Sequence, residues 1–152
     1  MLKLGKSTSQ MARLANTSRV DRQRKISFTF DGKLYSGYPG DTLASALLAN
    51  GVHLVGRSFK YHRPRGILSA GSEEPNALIR LGKGAYAEPN LRATQIEIFD
   101  GMHAESQNRV PSLFFDVGAI NSFLARFFPA GFYYKTFMWP GSMWMKYEHV
   151  IR

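Results

Sequence analysis

Between residues 26 and 51 the spacing of apolar side chains changes from every second residue to a helical repeat, and this restricts what the chain can build. Ile26-Ser-Phe-Thr-Phe30 alternates apolar and polar positions, as a half-buried strand does. Asp31-Gly32 follows, a dipeptide suited to a two-residue hairpin turn because both positions tolerate positive φ. Leu34-Tyr35 then starts a second strand, which Tyr38-Pro39-Gly40 interrupts. Asp41 is positioned to cap a helix over residues 42–50. Leu43, Ala44, Leu47 and Leu48 form its apolar stripe and Gly51 ends it.

Further along, Val52-His-Leu-Val55 is a short apolar run that leads into a basic stretch, residues 57–66, whose proline and glycine predict irregular structure. Strand-like alternation returns over residues 76–80 and 91–98, Gly82-Lys-Gly84 marks a hairpin end, and Asp100-Gly101 makes another turn. Strand, turn, strand and helix followed by more strands predict an α+β fold of the β-grasp type. A chain of 152 residues accommodates one such domain with extensions. The expected divisions are a flexible polar arm over residues 1–18, the β-grasp domain over 19–105, and an aromatic-rich extension over 106–152. Within that extension, residues 118–128 can form a short helix with Ile120, Phe123, Leu124 and Phe127 on one stripe.

The chain has no cysteine, so disulfides, thiolate metal sites and thiol nucleophiles are all excluded. No apolar run approaches the roughly 18 residues that span a bilayer, and the basic N-terminus lacks an apolar segment of the secretory kind. A cytoplasmic location is expected. Of the formal net charge of +9, all of the excess lies early: residues 1–65 hold twelve Lys/Arg against three Asp, while the remainder balances. Arg19, Arg22, Arg24 and Lys25 read as solvated or subunit-contacting rather than as a nucleic-acid footprint.

A second cluster places Arg57, Lys60, His62, Arg63 and Arg65 within nine residues. Its first reading is a fixed ionic network with Glu73 and Glu74. Its second is contact with a cofactor or anionic patch, for which Arg57, Lys60, Arg63 and Arg65 are the candidates. The histidines His53, His62, His103 and His149 show no metal-ligand spacing, and Ser69 and Ser72 show no nucleophile signature. No catalytic residue and no metal site is expected.

Residues 66–77, Gly-Ile-Leu-Ser-Ala-Gly-Ser-Glu-Glu-Pro-Asn-Ala, have the outline of a plant-type [2Fe-2S] loop, in which cysteines spaced C-x4-C-x2-C converge on two irons. Here those positions are Ser69, Glu74 and Ala77. With Phe30-Asp-Gly-Lys-Leu-Tyr-Ser-Gly-Tyr-Pro-Gly-Asp-Thr-Leu-Ala-Ser-Ala-Leu-Leu-Ala-Asn-Gly51 and Val55-Gly-Arg-Ser-Phe-Lys-Tyr-His-Arg-Pro-Arg-Gly66, the chain resembles the N-terminal part of the α subunit of heterotetrameric sarcosine oxidase. Related ferredoxin-like subunits of hydrogen cyanide synthase and amino-acid dehydrogenases keep the loop cysteines. A fourth cysteine there follows an Arg-Ala pair, and Arg92-Ala93-Thr94 puts Thr94 in its place.

The resemblance runs from about residue 19 to the end and includes Phe132-Tyr-Tyr-Lys-Thr-Phe-Met-Trp-Pro140. It implies a much longer subunit, with a dinucleotide-binding domain and a folate-binding domain after this one, and it implies that the present chain is a fragment or separately encoded piece. It also implies FAD, FMN, NAD and tetrahydrofolate in the full complex and none in this chain. The implied partners are the remaining α-subunit domains and the β, γ and δ subunits, with no nucleic acid and no membrane.

Twelve of the twenty aromatic residues lie between positions 114 and 147, too many for one short segment to bury alone. Phe114, Phe115, Phe123, Phe127, Phe128, Phe132, Tyr133, Phe137, Trp139 and Trp144 are therefore read as an interdomain or intersubunit surface, ahead of a local core. The function expected is a structural and assembly domain of a flavin-dependent sarcosine oxidase. The alternative is a standalone basic module for nucleic acid or an anionic protein.

Overall fold

The computed structural model describes residues 10–14 and 20–127. Arg19 and the aromatic residues from Phe128 onward lie outside the described residues. In chain order the elements are β1 (Ile26–Phe30), β2 (Lys33–Gly37), α1 (Leu43–Ala49), β3 (Gly56–Arg57), β4 (Pro64–Arg65), β5 (Leu78–Leu81), β6 (Glu88–Arg92), β7 (Met102–Ser106) and α2 (Ile120–Phe123). Five strands form one mixed sheet in the order β2-β1-β7-β5-β6, and β3 and β4 make a separate ribbon. A mixed sheet with few helices is consistent with the small α+β domain expected from the sequence.

The opening hairpin forms as its sequence predicts. Phe30 pairs with Lys33 across the two-residue turn, where Asp31 and Gly32 adopt φ values of 49° and 75°. The turn is tied to the sheet centre, because the Asp31 carboxylate accepts from the Ser106 backbone N–H at 2.8 Å and its hydroxyl at 2.7 Å. Along β1, Ile26, Phe28 and Phe30 point inward and meet Leu43, Ala44, Ala46 and Leu47 of α1. Burying Leu43 and Leu47 contributes about 2 kcal/mol each by the usual scale for an aliphatic side chain.

Four local expectations change. The helix cap is Thr42, whose side chain accepts from Ser45 N–H, and not Asp41. Asp41 is instead buried and receives the Tyr38 N–H at 3.0 Å, the Ser45 hydroxyl at 2.8 Å and the Arg13 guanidinium at 2.5 Å. Residues 57–66 are not irregular throughout. A tight turn with His62 at φ 51° brings Arg57 opposite Pro64, and proline is tolerated because this ribbon has only two strands.

Residues 91–98 do not form one strand either, since β6 ends at Arg92. Beyond it the chain crosses the N-terminus of α1, where the Ala93 carbonyl accepts from Ala44 N–H at 2.9 Å and the Ile96 carbonyl from Leu43 N–H at 2.8 Å. Helix starts leave such donors unsatisfied, and this crossing supplies their acceptors. The helical stretch after Gly118 is divided as well: 3-10 turns at Val117–Ala119 and Leu124–Phe127 flank α2, and Ile120 and Phe123 are exposed rather than packed as a core stripe.

Within the segment read as an arm, residues 10–14 dock on the domain. Ala12 N–H donates to the Ala49 carbonyl at 3.2 Å, and Gln10 donates to the Ser36 carbonyl.

Thr42→Ala removes the side-chain acceptor at the start of α1. We expect a loss of about 1 kcal/mol in urea denaturation, mostly recovered by Thr42→Ser.

Candidate functional site

Residues 66–77 close around a carboxylate. Glu74 is 0% exposed, and its two oxygens accept four backbone hydrogen bonds. Leu68 and Ser69 donate to Oε2 at 2.7 and 2.5 Å, while Asn76 and Ala77 donate to Oε1 at 2.7 and 3.2 Å. Burial drives the carboxyl pKa upward, but these four donors outweigh it and hold Glu74 below the ordinary glutamate value. A charge inside the domain is thereby matched by oriented backbone dipoles rather than by a cation.

The other three cluster-equivalent positions surround this arrangement without offering ligands. Ala77 is fully buried and has no donor atom on its side chain. Thr94 uses its hydroxyl to donate to the Gly71 carbonyl at 2.8 Å. The Ser69 hydroxyl is buried and without a hydrogen-bond partner, a single neutral oxygen. A plant-type [2Fe-2S] cluster is held by four Cys thiolates. The residues present do not fit one, because the Glu74 oxygens already accept four N–H donors and the chain has no cysteine to supply a thiolate.

The basic cluster divides into internal and external members. Arg57 is internal: Nε lies 3.3 Å from Asp116 Oδ2, and the guanidinium also donates to the Leu113 and His62 carbonyls. His62 Nδ1 reaches the same Asp116 oxygen at 2.8 Å, and Val110 and Gly118 N–H donate to Oδ1 at 2.9 and 3.2 Å. Burial pushes the Asp116 pKa up, while the His62 hydrogen bond and charge and the two backbone donors bring it below the usual aspartate value. Gly118 is required here, since a Cβ would stand 2.3 Å from His62 Nδ1.

In place of the expected pairing with Glu73 and Glu74, Arg57 and His62 pair with Asp116. Arg65 holds the loop differently, by donating to Asn76 Oδ1 at 2.6 Å. Lys60 and Arg63 each lie 4.8 Å from the centre of the Tyr61 ring, a double cation–π arrangement. Arg63 and Arg65 are exposed. Arg65 also lines, with Arg57, Phe59, Asn76, Asn90 and Asn108, a polar depression of about 400 Å³. Sequence reasoning did not find Asp116. The available signal was its isolation, because it is the one ionisable residue between Arg109 and Arg126. Among the described residues no group of three or more His, Asp or Glu side chains could hold a metal ion.

The fold and this loop define a class. The chain belongs to the 2Fe-2S iron-sulfur cluster binding domain family, whose model matches residues 23–109. More specifically, it is 64% identical over 141 residues to sarcosine oxidase subunit alpha of Rhizobium meliloti (strain 1021), covering 92% of this chain and 14% of that protein. The subunit alpha of Corynebacterium sp. (strain U-96) is 47% identical over 90 residues, 57% of this chain and 9% of that protein. This chain thus spans a small part of the length of the relatives it matches. Among solved structures, L-proline dehydrogenase from P. horikoshii aligns with a TM-score of 0.47 and 30% identity, covering 57% of this chain and 16% of that one.

Two outcomes follow from the buried carboxylates. Both Glu74 and Asp116 have lowered folded-state pKa values, so the unfolded chain binds protons first as pH falls. Their stabilisation is complete above the unfolded carboxyl values of about 4 and is lost as pH drops through the folded values. Glu74→Gln leaves buried N–H donors facing an amide N–H, costs roughly 2 to 4 kcal/mol near neutral pH, and flattens the acid limb of a stability-against-pH curve. Asp116→Ala strands the Arg57 charge and costs about 3 to 5 kcal/mol in the same denaturation assay, whereas Arg63→Ala, which loses only an exposed cation–π contact with Tyr61, costs about 1 kcal/mol at most.

Proposed function

We propose that this chain acts as a structural and assembly domain of a flavin-dependent sarcosine oxidase alpha subunit, with a β-grasp fold that carries no redox centre of its own. The observation that supports it is the Glu74 carboxylate, which occupies the loop's backbone donors in a domain of an iron–sulfur family. Kinship with the two alpha subunits supplies the enzyme context. In this reading the whole complex demethylates sarcosine oxidatively in the cytoplasm. FAD, FMN, NAD and tetrahydrofolate are held outside these residues, and the partners are the rest of the alpha subunit with the β, γ and δ subunits. The exposed Arg63 and Arg65, with Lys60 beside them, would face an anionic patch in that assembly. Arg57 would not, because Asp116 already neutralises it.

The test is co-expression of the tagged chain with the remaining alpha-subunit polypeptide and the other three subunits. The chain should co-purify with them, and sarcosine-dependent peroxide should come from the assembly and not from the chain alone. Stoichiometric iron with visible absorbance in the purified chain would overturn the proposal. So would a salt-sensitive mobility shift with RNA or DNA in the absence of any association with those subunits.

A further inference from the structure

Resting on that assembly reading, we infer that residues 110–123 form a preformed docking tip whose occupant is an uncharged apolar face elsewhere on the alpha-subunit polypeptide. The tip has a rigid base. Asp116 pins it from inside through His62, Arg57 and two backbone donors, and Val117 N–H donates to the Val110 carbonyl at 2.8 Å. Leu113 is inserted into the hydrophobic core, and its carbonyl takes two bonds from the Arg57 guanidinium. Ser112 and Phe115 close the turn with three mutual hydrogen bonds.

What this base holds outward is apolar. Phe114 and Phe123 are 83% and 88% exposed, and Phe115, Val117, Ile120 and Val110 are all more than half exposed. A loose segment with these side chains would gain by collapsing onto the domain, whereas residues 110–118 are pinned with Phe114, Phe115 and Val117 facing solvent, and α2 continues directly from them. Rigid aromatic side chains on a preordered loop lose little entropy on binding and suit an interface centre.

The occupant follows from charge and from covalent context. Between Arg109 and Arg126 the sole ionisable side chain is Asp116, and it faces inward, so the tip's own residues offer no charge to a nucleic acid, a lipid headgroup or an acidic peptide; the neighbouring charges are Asp31, Lys33 and Arg109 beside Phe114, and Asp31 and Arg109 pair with each other. An uncharged protein face is the matching surface. In the Rhizobium meliloti relative, the stretch that matches 92% of this chain is 14% of one polypeptide, so a homologous domain there is tethered to a far larger protein body. Tethering raises the effective concentration of any face that the linker allows to reach the tip.

The experiment compares hydrogen exchange in the isolated 152-residue chain and in a full-length alpha subunit where this chain replaces the matching segment of the Rhizobium meliloti protein. Amides of residues 112–123 should exchange at least about tenfold more slowly in the full-length subunit. Phe114→Asp with Phe123→Asp should remove that slowing, while Lys83→Ala, an exposed change in the turn between β5 and β6, should leave it intact. Absence of slowing, or slowing that survives the double substitution, overturns the docking tip. An isolated chain that sediments as a dimer, and becomes monomeric with the double substitution, overturns it in favour of a second copy. If the full-length subunit assembles with its partners and oxidises sarcosine while residues 112–123 stay unprotected, the assembly reading survives and only the tip fails. If the tip is protected but no assembly or oxidation occurs, the reverse holds.

Discussion

A carboxylate buried among four backbone N–H groups is the interaction on which the rest of this domain depends. Residues 66–77 must reverse direction with few apolar side chains and no metal cluster, and a turn full of inward-facing N–H groups is not stable by itself. Glu74 satisfies Leu68, Ser69, Asn76 and Ala77 together, so both limbs of the loop are fastened to one side chain. The consequences extend inward. Ala77, fixed at one end of the loop, accepts from Ala93 N–H at 2.9 Å, and the Ala93 carbonyl accepts from Ala44 N–H in the first turn of α1. Loop, crossing segment and helix thus form one hydrogen-bonded sequence that ends on the face covering the sheet.

Asp116 repeats the device against the basic ribbon with different partners. There a cation, a histidine and two backbone donors surround the buried acid, and the fastened element is the apolar segment after β7. A buried ion pair is weak evidence for net stability, because desolvation of both charges offsets their attraction. Its evident effect is geometric: it sets where residues 110–118 run and which of their side chains are left outside. Two internal carboxylates therefore hold two segments that hydrophobic packing alone would leave unspecified.

The sequence was most legible where a short-range pattern carried the structure. Strand alternation at residues 26–30, the Asp31-Gly32 turn and the apolar stripe of α1 all appear because each depends on neighbours a few positions away. It was least legible where partners are distant. Nothing near Asp116 announces Arg57 or His62, which lie more than fifty residues earlier, and β7 is hidden because Met102, Ala104 and Ser106 are a weak apolar set that becomes central only when β1 and β5 flank it. Residues 91–98 misled for a related reason. Their alternation matches a strand, yet two adjacent residues, Ala93 and Thr94, are buried together because the chain there serves the helix start. At the loop, Ser69, Glu74 and Ala77 were readable from spacing and Thr94 from the family resemblance, but the role of Glu74 was not. A glutamate beside a basic cluster suggests an ion pair, whereas the structure gives it backbone donors only.

Glu74 is an ionised internal acceptor that takes over the loop's N–H groups. The most direct measurement is a carbon-detected NMR titration of the Glu74 carboxyl in the intact chain, followed with the Leu68, Ser69, Asn76 and Ala77 amide shifts. The expected midpoint lies below the ordinary glutamate range, with all four amides moving at that same midpoint. A midpoint at or above the ordinary range, or amides that do not respond with the carboxyl, would contradict it.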